Sequence, residues 1–412
     1  IQAVHCDSLM HRHCLFLRYS CSGQPFGRAC ETEGRDDNWV SSERFLSKRV
    51  HSCQNRRMNL ENQPLEALIV AVPETAGSAL YGMVDVLTSA GNLWQQLTGG
   101  EQRHPIRPRI VSLTRSPFSC GNRVPVEPEL ELDDDPSADI VILPELWLAP
   151  DDDFKDRYPE LLDWIRRRYR AGSTIYSACS GSIMLAATGL LDAKEATSHW
   201  GYRDLFRTHY PKVKFRPEPN LCFADAAGRI VTAGGTTSWH DLAIHIIARH
   251  CSPGEAMRIA KVYLLKWHSE GQLPYASLIR EQSHADSVVR QCEDWLAEHY
   301  RDGDAVVNVV ALAGVPERSL KRRFKIATGT TLIGRVQNLR IEEAKRRLET
   351  ELVSFEQIAA DLGYENLAFF RRLFKRSTGL TPGAYRRMFR PFIEPDRALD
   401  LASSSLPLPG DA

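Results

Sequence analysis

The sequence predicts an α/β half, a parallel sheet sandwiched by helices, followed by an all-α half with two helix-turn-helix units. Three observations carry this. Mostly apolar strands alternate with helical stretches over residues 65–266, the pattern of a parallel sheet covered on both faces. From Val306 the apolar spacing is helical. Within this second half a short sequence occurs twice. Phe324-Lys-Ile-Ala-Thr-Gly-Thr-Thr331 and Phe374-Lys-Arg-Ser-Thr-Gly-Leu-Thr381 share five residues at an offset of fifty. A repeat of that length is one supersecondary unit used twice.

The elements follow in order. Residues 65–72 form a buried-type strand, and 82–90 a helix. Residues 106–114 and 138–144 give two more strands, the latter after an acidic loop at Asp133 to Asp135. An amphipathic helix is expected over 154–170 and a fourth strand over 173–179. Residues 196–200 read as another strand-like piece, and 241–250 and 253–266 as two helices. A break at 271–277 separates this half from a lead helix over 286–300.

A chain of 412 residues, 43% hydrophobic and 25% charged, predicts two or three ordinary globular domains. No apolar run approaches the ~18 residues that span a bilayer, so no membrane is expected and the chain reads as cytoplasmic. Residues 1–60 hold five of the ten cysteines with no zinc-type spacing. They read as a disordered leader or a non-native extension, with Met58 a candidate start, and no metal is expected. The Pro- and Ser-rich stretch 391–412 reads as a disordered tail.

The fourth strand runs into Ala178-Cys179-Ser180-Gly181-Ser182, a strand-turn-helix elbow with a thiol at its apex. A helix N-terminus just after it favours a thiolate, and His199 lies twenty residues on. The pair has the outline of Cys-His nucleophilic catalysis. Cys179 has three readings: a nucleophile, the wall of a small-molecule pocket, or a residue of a packed turn. His199 also fits a hydrogen-bonded structural histidine. Pockets in open parallel sheets lie beyond the carboxyl ends of the strands. That rule gathers Glu74, Glu145, Cys179, Ser180 and His199 at one mouth, with Gly234 and Gly235 near it. Glu145 there would favour a cationic or hydrogen-bond-donating ligand.

In the second half, apolar residues up to Leu312 fit a short helix, Gly314 a turn, and Pro316 the first turn of the next helix. The second unit repeats this with a helix ending at Leu362, a turn at Gly363, and a basic helix opened by Glu365 or Asn366. This is helix-turn-helix grammar, whose second helix enters the major groove. Residues 316–347 hold ten Lys/Arg against three acids, while the whole chain has 52 of each sign. Charge so concentrated suits a phosphate-binding surface; a solvated helix face is the plainer alternative. Glu317, Arg318 and Arg322 in the first unit, and Asn366, Ala368 and Arg372 in the second, are placed to approach bases. Lys321, Lys325, Arg371 and Lys375 suit phosphates.

On these motifs, residues 306–389 are similar to the DNA-binding domain of AraC-type regulators. The long connector 331–349 and the closing Gly379-Leu-Thr-Pro-Gly-Ala-Tyr-Arg-Arg387 add to the likeness. Residues 65–249 resemble the class I glutamine-amidotransferase-like superfamily in its intracellular-protease-like branch. The Cys179 elbow, its spacing to His199 and the segment 229–245 carry that likeness, which implies a flavodoxin-like sheet. Enzymes of that branch hold the thiol with an acidic residue; the aligned position here is Ala79, with Glu74 five residues earlier. The resemblance therefore implies a domain that is not an enzyme, in which Cys179 and His199 are vestigial.

Together the likenesses imply a leader 1–60, a sensor 61–270, a linker 271–283, a DNA reader 284–390 and a tail 391–412. They imply a sequence-specific transcription activator that binds double-stranded DNA, contacts RNA polymerase and forms a homodimer. An amine- or amino-acid-like metabolite is the expected effector, and no cofactor is expected. The first unit is expected to give most of the sequence readout and the second more of the docking. The alternative is a Cys-dependent hydrolase or deglycase fused to a DNA-binding domain.

Overall fold

The computed structural model describes residues 63–277 and 285–390. The leader, the tail and the end of the expected linker lie outside the described residues.

Seven strands form one sheet: β1 (Leu65–Val70), β2 (Ile106–Ser112), β3 (Leu130–Glu131), β4 (Ile140–Leu143), β5 (Thr174–Ala178), β6 (Leu221–Phe223) and β7 (Ile230–Ala233). Their spatial order is β6-β7-β5-β4-β1-β2-β3. Every pairing is parallel except that of β6 with β7. Alternate residues of β1 and its extension feed two cores: Ala67, Ile69 and Ala71 on one face, Leu68, Val70 and Val72 on the other. Burial on both faces explains why this segment is apolar without alternation. Helices α1 (Gly77–Thr88), α2 (Leu93–Thr98), α3 (Pro159–Ala171), α4 (Gly181–Ala187), α5 (Arg203–His209), α6 (Trp239–His250) and α7 (Pro253–Val262) surround it. α1, α6 and α7 cover the first face, and α3, α4 and α5 the second. The direction of strand addition reverses at β1 and β4, so the loops after β1, β4, β5 and β7 meet at one edge.

Several sequence expectations shift. The helix expected from residue 154 begins at Pro159, because Phe154, Asp156 and Tyr158 all have positive φ and the chain there is irregular. The strand expected over 196–200 is only Glu195–Ala196; Trp200–Tyr202 turns into a 3-10 helix. β3, β6 and the hairpin Phe118–Cys120 with Val124–Val126 were not expected.

The second half holds α8 (Ser287–His299), α9 (Ala305–Leu312), α10 (Glu317–Thr328), α11 (Leu332–Thr350), α12 (Phe355–Asp361), α13 (Leu367–Thr378) and α14 (Pro382–Phe389). It has two small cores. Leu332 and Val336 of α11 enter the first with Phe324, while Ile341, Ala344 and Leu348 enter the second with Phe374. α11 is thus a spine shared by both units.

The repeat has a physical meaning. Thr328 donates its hydroxyl to the carbonyl of Phe324, as Thr378 does to that of Phe374. Gly329 and Gly379 then take left-handed φ of 69° and 75°, ending α10 and α13. Thr331 and Thr381 accept from the amides of Gly334 and Ala384, starting α11 and α14. The shared residues therefore encode one buried anchor, one helix end and one helix start. Among the described residues no helix is long and apolar enough to cross a membrane.

Candidate functional site

The elbow after β5 is strained. Cys179 has φ 52°, a left-handed conformation that a side chain rarely adopts. A Cβ on Gly181 would stand 2.3 Å from the carbonyl oxygen of Leu143, so only glycine lets α4 start this close to β4. Ser180 holds the loop after β4, accepting from the Leu146 amide at 2.7 Å and donating to its carbonyl at 2.6 Å.

The thiol is buried and faces a carboxylate: Cys179 Sγ donates to Glu145 Oε1 at 3.6 Å. Ala79 is buried in α1 and Glu74 is turned away, taken by Arg157 Nη1 at 2.9 Å and Tyr158 at 3.1 Å. The missing acid at Ala79 therefore does not leave the thiol without a carboxylate; the loop after β4 supplies one. Burial, reinforced by the Glu145 charge, pushes the Cys179 thiol well up. This overrides the helix N-terminus that the sequence suggested would favour a thiolate; α4 has only seven residues. Among the described residues no hydrogen bond joins His199 to the thiol; its Nδ1 accepts from the Gly201 amide at 3.0 Å. Burial also pulls the His199 pKa down.

A cavity of about 270 Å³ opens past β7 and the expected linker, walled by His199, Trp200, Asn220, Thr236, Gln272 and Tyr275 among others. Of the five residues expected at the mouth, His199 alone lines it. Cys179 and Ser180 lie beneath, and Glu74 is occupied elsewhere. Glu145 reaches the cavity wall indirectly, because Thr236 donates to its Oε1 at 3.0 Å. Glu145 Oε2 is buried with no hydrogen-bond partner among the described residues. Gln272 was not anticipated. Its amide donates to Thr197 Oγ1 at 3.1 Å and to the carbonyls of Ser198 and Pro219 at 2.9 and 3.1 Å. It packs against Gly234, where a Cβ would overlap it at 2.3 Å. The double glycine of Gly234-Gly235 was the available signal. Asn220 and His268 complete a polar rim, held from behind by the buried Asp241, which lies 2.8 Å from His268 Nδ1. Among the described residues no cluster of three or more His, Cys, Asp or Glu is placed to hold a metal.

Burial raises the Glu145 carboxyl above the usual carboxylate range. A raised acid contributes stability that is present below its unfolded pKa and is lost as pH rises through the folded value. Glu145→Gln removes the titration and keeps an oxygen for Thr236 and Cys179. The variant is expected to melt higher than the parent near neutral pH, with the gap closing towards acid. Melting temperatures between about pH 4 and 8 check this; parallel curves for the two proteins would refute it.

The second site is the exposed face of α10 and α13. Glu317, Arg318, Lys321, Arg322 and Lys325 are all exposed, as are Asn366, Ala368, Arg371, Arg372 and Lys375. The guanidinium groups of Arg318, Arg322 and Arg372 have no ion pair or hydrogen bond among the described residues. Others carry local tasks. Lys321 pairs with Glu317 at 2.5 Å, Arg371 pairs with Glu356, and Lys325 caps the carbonyl of Gly329. Asn366 caps α13, its Oδ1 accepting from the Phe369 amide at 2.9 Å. That oxygen is committed, so the bidentate adenine contact expected of Asn366 would cost the cap.

The basic run over 316–347 is also divided. Arg323 forks onto Asp286 at 2.8 and 2.6 Å, holding that carboxyl down at about 2. Arg340 donates to the carbonyls of Tyr300 and Asp302, Arg335 pairs with Glu293, and Lys345 with Glu342. Arg346 and Arg347 both meet Glu351. Six of the ten cations are thus scaffold, a correction to reading the whole run as a phosphate surface. Only Arg318, Lys321, Arg322 and Lys325, all on α10, remain for that role.

Residues 88–249 match the model of the DJ-1/PfpI family, and residues 309–388 match that of a helix-turn-helix domain. The chain joins a DJ-1/PfpI domain to an AraC-type helix-turn-helix domain. The DJ-1/PfpI domain supplies the parallel sheet and thiol elbow; the helix-turn-helix domain supplies α10 and α13. The chain is 27% identical over 231 residues to the HTH-type transcriptional regulator CdhR of Pseudomonas aeruginosa, covering 55% of this chain and 67% of that protein. It is 29% identical over 228 residues to the HTH-type transcriptional regulator GlxA of Rhizobium meliloti, covering 54% and 68%. An isonitrile hydratase of Pseudomonas putida is 29% identical over 175 residues, covering 42% of this chain and 66% of that enzyme.

Proposed function

We propose that the chain is a sequence-specific DNA-binding transcription regulator, an activator acting as a homodimer. In this reading residues 61–270 sense a small amine- or amino-acid-like metabolite, 271–283 link, and 284–390 read DNA. The carrying observation is the pair of exposed basic helices α10 and α13, joined by one spine and bearing Arg318, Arg322 and Arg372, which are unpaired among the described residues. Two relatives named as HTH-type transcriptional regulators support it. Helices so joined read two major-groove segments about one turn, ~34 Å, apart. Selection of bound duplexes by the full chain, followed by footprinting, tests this. A single enriched sequence with two protected groove segments per protomer is expected; uniform affinity for all duplexes would sink the reading.

The effector reading rests on Glu145 Oε2, which has no partner among the described residues, and on Gln272 in the cavity wall. A cationic or donor group reaching Glu145 would displace Thr236 or Gln272. Gln272 belongs to the segment that meets the reader: the Tyr275 ring lies 5.5 Å from that of Phe389, and Lys345 donates to the Ala276 carbonyl. An occupant that favours one placement of this segment would bias the reader by its differential affinity. RNA polymerase contact is assigned to the second unit, with its more apolar surface at Tyr364 and Phe369.

The isonitrile hydratase relative keeps the enzyme reading in view. A buried thiol held protonated argues against a nucleophile. Cys179 is expected to resist iodoacetamide in the native chain near neutral pH, and Cys179→Ser to retain DNA binding. Fast alkylation of Cys179 together with turnover of peptide, amide, glyoxal or isonitrile substrates would establish the enzyme instead.

A further inference from the structure

We propose that the junction between the two domains is a binding site for a small, multiply charged oxyanion of the phosphate type. A cavity of about 480 Å³ lies there, separate from the one beside Gln272. Arg203 and Arg207 of α5 line it from the sheet domain, and Arg335 and Lys345 of α11 from the helical domain. Among the described residues Asp204 and Glu342 are the only carboxylates in its wall, so four described cations face two anions.

The pairing inside the cavity is incomplete. Asp204 is taken by Arg207 at 3.2 Å and Glu342 by Lys345 at 3.0 Å. Arg203 has no ion pair among the described residues. Arg335 decides the case. It is 9% exposed, its Nη2 reaches Glu293 only at 3.5 Å, and its buried Nε has no hydrogen-bond partner among the described residues. A guanidinium buried with an N–H unmet is costly, and an oxyanion is the partner that meets it with fixed, forked geometry. Arg335 also sits in the first turns of a 19-residue helix, and Thr330 brings the start of that helix to the cavity edge. The helix dipole there favours negative charge.

The residues assigned to DNA on α10 and α13 line none of this cavity. A free small anion is therefore the occupant, rather than the backbone of a bound duplex. The Arg207 guanidinium already lies against Gly329, where a Cβ would meet it at 2.7 Å. An anion held by Arg203, Arg207 and Arg335 together would tie α5 to α11, and so one domain to the other. This site does not depend on the effector reading of the Gln272 cavity.

The test uses the full chain without DNA. Inorganic phosphate and pyrophosphate are titrated by calorimetry and thermal melting, with chloride at matched ionic strength as control. Saturable binding and a rise in melting temperature above the chloride control are expected. Pyrophosphate affinity should fall at least about tenfold, some 1.4 kcal/mol, in Arg207→Gln and in Arg335→Gln. Arg207 is exposed, so its variant keeps the test open if Arg335→Gln does not fold. Arg318→Gln on α10 should leave binding unchanged. Equal effects of chloride, binding that survives both arginine variants, or binding lost in Arg318→Gln would overturn the proposal. Displacement of bound pyrophosphate by a non-specific duplex would assign the charge to the DNA backbone and would equally overturn it.

Discussion

Arg322→Ala is expected to weaken binding to the selected operator by roughly 1–3 kcal/mol, about 5- to 150-fold, and to flatten discrimination at one base position. The guanidinium stands exposed on α10 with no partner among the described residues, so the free protein loses nothing when it is truncated. All of the loss therefore appears in the complex. Lys321→Ala should behave differently. Its ammonium is already paired with Glu317, and a phosphate contact weakens all duplexes alike, reducing the salt dependence by about one unit. Arg372→Ala should cost affinity with less loss of discrimination, because α13 carries the apolar Phe369 and follows Tyr364. Fluorescence anisotropy over the operator and its single-base variants, at two salt concentrations, separates these outcomes. A smaller loss of specificity for Arg322→Ala than for Arg372→Ala would reverse the division of labour between the units.

The parts legible in the sequence are those whose determinants are local. β4 and most of β1 announce themselves because a doubly buried strand is apolar on both faces. The helical units are legible because Thr-Gly-x-Thr encodes a helix end and the next start within four residues. The elbow at Cys179 is legible because its strain demands small neighbours. What was not legible depends on distance in the chain. Glu145 is thirty-four residues from the thiol it faces, and no local pattern links the two. Gln272 sits in a stretch that reads as linker, yet folds back onto Thr197 and Ser198. The same holds for charge. A run of ten cations looks uniform until Asp286, Glu293 and the carbonyls of Tyr300 and Asp302 arrive from α8 and its following loop.

Phe374→Ala is expected to unfold the second helix-turn-helix unit and abolish operator binding. The ring is fully buried and packs edge-on to Phe355 at 5.6 Å and to Tyr385 at 5.5 Å. Removing a buried phenyl group costs about 3–5 kcal/mol, including the cavity left behind. Loss of two aromatic pairs adds to this. A core of eleven buried residues has few other contacts with which to absorb that loss. Two routes connect the damage to the rest of the chain. Ile341, Ala344 and Leu348 tie the second core to α11, whereas Leu332 and Val336 tie the same helix to the first core. The spine should therefore fray from its C-terminal half, leaving the first unit folded. Amide hydrogen exchange on the full chain should show protection lost over residues 341–385 and kept over 289–336. Phe324→Ala should give the mirror image, with protection lost around α8 to α10. Loss of protection across both units in either variant would mean that the two cores fold as one, and that α11 transmits disorder rather than dividing it.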